Sequence, residues 1–275
     1  SNQGFEAVVR YTGKETKDLT WFVEASAWFA RNKILYNAEA PQNYAYQYRT
    51  GHRVDQPFLL EALGFFNDQN EIDSSPKQTV AAVQPGDLKY ADLSGPNGVP
   101  DGKIDSYDKT DIGWSAPRYM FGLDFSGEYK GFDFRVFFQG VGKRDEFIYG
   151  GIVLNPTSKS LLEDRWNPER SVQENLAHAK LPRYVNGQQN NYEISDFYVK
   201  SAAYLRLKNL QLGYTLPKNW TRKICFEKVR FSISANNLFT LTSYPYVDPE
   251  GPSGGAYYPQ LRSFTFGVEL TIGKN

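Results

Sequence analysis

The chain has 275 residues with 31 basic and 31 acidic side chains, so it lacks the basic surplus of a nucleic-acid binder. Nineteen Tyr, nineteen Phe and five Trp raise the aromatic share to 16%, a composition suited to strands. No run approaches the roughly 20 apolar residues of a helical membrane span, and one cysteine, Cys225, excludes an internal disulfide.

A strand reverses side-chain direction at every residue, so strict alternation makes one apolar and one polar face. Phe5, Ala7, Val9 and Tyr11 alternate with Glu6, Val8 and Arg10. Trp21, Val23, Ala25, Ala27 and Phe29 alternate with Thr20, Phe22, Glu24, Ser26 and Trp28. Tyr119, Phe121, Leu123, Phe125 and Tyr129 oppose Asp124, Ser126, Glu128 and Lys130. Phe132, Phe134, Val136 and Phe138 oppose Asp133, Arg135 and Gln139. Leu210, Leu212, Tyr214 and Leu216 face away from Asn209, Gln211 and Thr215, and Val229, Phe231, Ile233 and Ala235 from Arg230, Ser232, Ser234 and Asn236. The cleanest pattern closes the series: Phe264, Phe266, Val268, Leu270 and Ile272 against Ser263, Thr265, Gly267, Glu269 and Thr271. The predicted class is all-β, with about seven antiparallel strands. Several reach the roughly 9–11 residues that a tilted membrane-spanning strand requires.

Connections between these strands alternate in length. Residues 13–18, the pair Lys130-Gly131 and residues 217–228 are short, whereas 33–118, 143–203 and 242–261 are long. Short turns at one end and long loops at the other mark an outer-membrane barrel, and a β-sandwich has no physical reason to keep that order. Single-chain bacterial barrels begin at about eight strands and hold even numbers. An unpaired strand edge in lipid is prohibitive. There is also no basic start followed by an apolar run of the kind that directs export. The expectation is that residues 1–275 form the C-terminal part of a larger barrel. Its plug and earlier strands would lie upstream.

Particular residues sharpen this reading. The run Tyr204-Leu-Arg-Leu-Lys-Asn-Leu-Gln-Leu-Gly-Tyr-Thr-Leu-Pro217 resembles a late-strand motif of SusC/RagA-like TonB-dependent transporters. So do Ala235-Asn-Asn-Leu-Phe239, Thr242-Ser-Tyr244 and Asp248-Pro-Glu250. Tyr48-Arg-Thr-Gly51, Val54-Asp-Gln56, Gly64-Phe-Phe66 and Gly86-Asp-Leu-Lys-Tyr-Ala-Asp92 resemble the same family's long loop, and Trp166-Asn-Pro-Glu169 and Pro182-Arg183 the next one. The resemblance implies a plugged barrel of about 22 strands in the outer membrane of a Gram-negative, Bacteroidota-type bacterium. It further implies import of glycan fragments or peptides, powered by the TonB complex through the upstream part and capped by a SusD-like lipoprotein. Outward Phe, Leu, Val and Tyr would meet outer-membrane lipid, while Asp124, Glu128, Arg135 and Gln139 would face the lumen. A secreted soluble β-rich glycan-binding module and a diffusive porin are the alternatives.

Two groups of residues are candidate sites. Asp92, Ser94, Asp101, Asp105 and Asp108, with the Lys103 carbonyl, resemble an EF-hand loop once the insertion 96–100 is removed, making calcium the candidate cation. The insertion breaks the spacing, and a solvated Asp/Gly turn gives the same pattern. Trp166, Tyr244, Tyr246, Tyr257 and Tyr258, together with Tyr44, Tyr46 and Tyr48, fall on the long-loop side. Aromatic faces with a polar handle suit sugar rings, but they also anchor membrane interfaces and pack loops. His52 and His178 are the only histidines, and no H-E-x-x-H, G-x-S-x-G or P-loop motif occurs, so no enzymatic chemistry is expected.

Overall fold

A computed structural model describes residues 1–148, 162–184, 190–245, 248–251, 258 and 260–272, apart from the Ile224 side chain. Its centre is one antiparallel sheet of seven long strands arranged in chain order. These are β1 (Asn2–Thr12), β2 (Leu19–Asn32), β3 (Tyr119–Tyr129), β4 (Phe132–Gly142), β5 (Tyr204–Thr215), β6 (Lys228–Asn236) and β7 (Ser263–Thr271). All seven expected strands are present. The fold is that expected of a portion of a large β-barrel.

Pairing register carries the two faces across the sheet, with one shift on β4–β5 where Phe137 faces Asn209 and Phe138 faces Leu207. Phe5 lies beside Phe29, Phe29 beside Tyr119, Phe132 beside Tyr129 and Tyr214, and Ile233 beside Leu212 and Phe266. Lys130 and Gly131 both adopt positive φ, the backbone that joins twisted strands through two residues. Phe5, Val9, Phe121, Phe132, Phe134, Leu212, Phe231 and Leu270 are all exposed, and Phe266 reaches 78%. With about 4.8 Å between strands and about 3.3 Å per residue, this apolar face covers on the order of 1,000 Å². The largest apolar patch on a soluble monomer is roughly 300–600 Å².

The opposite face is laced by ion pairs. Arg10 Nε donates to Glu24 at 2.9 Å, Arg135 Nη2 to Asp124 at 2.6 Å and Lys228 Nζ to Glu269 at 3.0 Å. Arg230 on β6 reaches Asp133 on β4, with bonds of 2.9 and 2.6 Å that span β5. Gly213 makes this possible, because a Cβ there would stand 2.3 Å from the Asp133 carboxylate and 2.5 Å from the guanidinium. Large side chains also occupy this face. Phe22 does so beneath the Arg10 guanidinium, which lies 4.1 Å above its ring.

The long connections are themselves built of short elements. They contain two-stranded pairings, including Ala62–Phe65 with Leu88–Tyr90 and Asp145–Phe147 with Val199–Ser201, and helices at Gln69–Ser74 and Val172–His178. Elements this short carry no legible period, which is why alternation missed them. All three long connections contribute to one buried cluster. Leu60, Leu88, Tyr90 and Ile104 come from the first, Ile148, Leu181, Tyr198 and Ala202 from the second, and Tyr244 from the third. At roughly 1.5–3 kcal/mol for each large apolar side chain, that burial turns three loops into one folded cap.

Candidate functional site

The cap is fixed internally by buried polar groups. Asp87, wholly buried, receives Arg183 Nε at 2.6 Å and Nη2 at 3.0 Å, together with the Asn191 amide at 2.9 Å. Gln78 donates to the Leu88 carbonyl and accepts from the Tyr90 amide, so a side chain completes the short ladder. Burial pushes the Tyr90 phenol well above its ordinary value, leaving it a donor to the Asn190 carbonyl at 2.8 Å. The Gly86-Asp87 and Pro182-Arg183 motifs therefore meet in space although 96 residues separate Asp87 from Arg183.

The proposed ligand aromatics divide. Trp166 is 4% exposed and packs on Gly86, where a Cβ would stand 2.3 Å from its ring, and edge-on to Phe65. Tyr244 belongs to the cap core. Both rings therefore pack the loops in this structure, because each fills space that would otherwise be a void. Tyr258 is 80% exposed, while Tyr246 and Tyr257 lie outside the described residues.

A different aromatic set is brought together. Tyr107 meets Tyr44 edge-on at 4.8 Å, Tyr44 stacks on Tyr46 at 5.7 Å, Tyr46 lies 6.3 Å from Phe58, and His52 meets Phe58 at 4.8 Å. Arg49 lies over Phe58 and Lys109 over Tyr46, at 5.7 and 5.4 Å from the ring centres. Beside this ribbon is a cavity of about 540 Å³ lined by Tyr46, Arg49, Pro57, Phe58, Phe147 and Ile194. Apolar walls with a few fixed polar groups are the usual make-up of a small-ligand site. Tyr44 and Tyr46 belong to the aromatics singled out in the sequence. Tyr107 and Phe58 do not, since only the folded loop brings them near.

The acidic loop is organised by its own backbone. Asp108, 1% exposed, accepts the amides of Leu93, Ser94 and Asp105 at 2.7, 3.1 and 2.8 Å. Asp92 accepts Asp101 and Gly102, Asp101 accepts Lys103, and Asp105 accepts Tyr107. Ser94 Oγ donates to the Gly95 carbonyl at 3.5 Å. Among the described residues no group of three or more His, Cys, Asp or Glu is placed to hold a metal ion.

Motifs from β5 and the third long loop also meet. Arg206, wholly buried, donates Nε to Thr240 at 2.7 Å, Nη1 to Glu250 at 2.7 Å and Nη2 to Asp248 at 2.6 Å. Lys208 adds a bond to Glu250 at 2.8 Å, and the Tyr204 hydroxyl donates to the same carboxylate. Burial raises the Glu250 pKa, but hydrogen bonds from Lys208 and Tyr204 and the Arg206 charge outweigh it and hold the carboxyl below its ordinary value. Asn237, at φ 54°, kinks the chain after β6 so that Thr240–Thr242 can pair with the outer end of β5.

A two-faced sheet with tight turns at one end and a folded cap at the other defines a segment of an outer-membrane-type barrel. No helix among the described residues is long and apolar enough to cross a membrane, which says nothing about strands. No family model matches the chain. It is 27% identical over 308 residues to TonB-dependent receptor P3 of Formosa agariphila, covering 98% of this chain and 28% of that receptor. It is 26% identical over 285 residues to TonB-dependent receptor SusC of Bacteroides thetaiotaomicron, covering 98% of this chain and 26% of SusC. The backbone matches a solved structure of the RagAB peptide transporter with a TM-score of 0.72 at 20% identity, over 98% of this chain and 29% of that one. The resemblance to SusC/RagA-like TonB-dependent receptors read from the motifs is borne out over nearly the whole chain. The chain spans well under a third of the length of the relatives it matches.

Proposed function

We propose that this chain is the C-terminal part of the barrel of a TonB-dependent importer in the outer membrane of a Bacteroidota-type bacterium. The observation that carries it is the continuous exposed apolar face, whose area exceeds what a soluble monomer shows. That face also counts against the secreted soluble module. The polar face lines the lumen, upstream strands close the sheet edges at β1 and β7, and an upstream segment engages the TonB complex. The cap faces outward and meets a SusD-like lipoprotein. Cargo is glycan fragments or peptides, and the aromatic ribbon with its adjoining cavity is the surface offered to it.

Orientation tests this directly. In full-length protein carrying Cys225→Ser, a thiol at Glu169→Cys reacts with an impermeant reagent on intact cells, whereas one at Lys130→Cys reacts only after permeabilisation. The reverse pattern rejects the topology. Tyr46→Ala with Phe58→Ala is expected to weaken cargo binding about tenfold or more while leaving the amount of folded barrel unchanged. Unchanged binding removes the ribbon from the ligand surface.

A further inference from the structure

We propose that the outer rim of the sheet carries a site for the phosphate-bearing headgroup of a membrane lipid, built from Arg31, Lys33, Arg53 and Arg118. It rests on the reading of the apolar face as lipid-facing. On β2 the odd positions from Trp21 to Phe29 belong to that face, and Arg31 and Lys33 continue the same parity. Immediately below them runs a three-strand aromatic band, with Phe5 5.8 Å from Phe29 and Phe29 5.2 Å from Tyr119. Aromatic bands of this kind sit at headgroup level. β2 has fourteen residues, against the roughly 9–11 that cross the hydrocarbon, so its last residues stand in the headgroup region.

At this height lies a polar cavity of about 220 Å³ lined by all four cations, with Asp111 and Asp145 as its only carboxylates. None of the four forms an ion pair among the described residues. Asp145 is already engaged by the Trp114 amide at 3.2 Å, and Arg53 is held over the Trp114 ring at 4.8 Å. Four cations facing two carboxylates across one small cavity repel one another unless an anion joins them. Planar guanidinium groups match phosphate with paired hydrogen bonds. At roughly 30 Å³ per water, the cavity has room for a phosphate and several waters. A headgroup is favoured over a dissolved anion because Arg31 follows Phe29 by two residues on the apolar parity and Arg118 immediately precedes Tyr119, so cations of the cavity adjoin the aromatic band.

The test uses the full-length protein in non-ionic detergent, with bound lipid read by native mass spectrometry. Phosphatidic acid is expected to bind at least tenfold more tightly than phosphatidylcholine. Arg31→Gln with Arg118→Gln is expected to weaken it about fivefold per cation removed, and Lys130→Gln at the opposite rim to leave it unchanged. Lys33→Gln alone, at an exposed position beyond the strand, serves if the double variant fails to fold. Equal binding of the two lipids, or an undiminished preference in a variant that melts like wild type, overturns the site. Displacement by equimolar inorganic phosphate overturns the lipid assignment in favour of a free anion. The underlying reading fails separately, if the full-length protein stays monomeric without detergent.

Discussion

Arg206 on β5 and Asp248 in the third long loop form an ion pair, the guanidinium buried and the carboxylate partly exposed, with Nη2 2.7 and 2.6 Å from the two carboxylate oxygens. The remaining guanidinium nitrogens bind Glu250 and Thr240, so one side chain from the sheet holds three points of the cap's last segment. Removing the guanidinium leaves Asp248 without this partner, while Glu250 keeps Lys208 and Tyr204, so the clasp loosens chiefly at Asp248. Arg206→Met should expose the segment around Asp248–Gly251 to protease in folded barrels. Arg206→Lys should rescue little, since an ammonium cannot present the three-pronged planar edge. Wild-type resistance in both variants would remove the clasp from the account.

Glu250 adds a pH dependence. Its folded pKa lies below the ordinary 4.5, so its contribution is present above that value and lost as pH falls through the lower, folded one. Wild type should melt above Glu250→Gln at pH 7, with the gap closing as pH falls below 4.5 and on through the lower folded pKa. A gap independent of pH would show that the carboxylate charge does not matter.

The faces of β7 give a paired test. Phe266, 78% exposed beside Ile233, is read as lipid-facing, and Phe266→Arg should cost roughly 2–4 kcal/mol of barrel stability. Thr265, beside Ser234, belongs to the polar face, so Thr265→Arg should be tolerated. Equal yields of folded barrel for the two variants would reject the assignment.

For the acidic loop, two accounts differ in outcome. If calcium organises it, chelation raises proteolytic nicking between Asp92 and Asp108. The hydrogen bonds from Leu93, Ser94 and Asp105 to Asp108 predict that chelation changes nothing and that Asp108→Ala alone opens the loop. Leaving three amides without their acceptor costs about 1–3 kcal/mol each where water is excluded.

Gly213 offers a narrower check. Gly213→Val should push Asp133 and Arg230 apart and lower the melting temperature of the barrel, whereas Gly267→Val should be milder because only the Ser232 hydroxyl stands close. Equal effects would mean that the Asp133–Arg230 pair adds nothing measurable.

The strands and their faces were legible because a period of two survives in each long segment, as from Phe264 to Thr271. The interruptions at Phe22, Trp28 and Phe137 arise where large rings enter the polar face beside Arg10, Glu6 and Asp124, which no local pattern announces. The cap was hidden for another reason. Its strands are two to four residues long in the first connection, and its decisive contacts, Asp87 with Arg183 and Gln78 with Asn190, join distant segments. Residue type drew attention to Trp166 and Tyr244, but type does not distinguish a ring offered to a ligand from one that fills a core.

The membership of the cap core sets an order of events. Its apolar cluster draws on segments before β3, between β4 and β5, and after β6. No single pair of neighbouring strands brings all three segments together, and contacts so remote in the chain form slowly. The cap can therefore close only after β3 to β6 are in register. Until then the cluster that holds Leu88, Tyr198 and Tyr244 remains incomplete at the cap end of the sheet. A closed cap is thus a mark that β3 to β6 are in register, and a sheet arrested before that point would be recognisable by these exposed side chains alone.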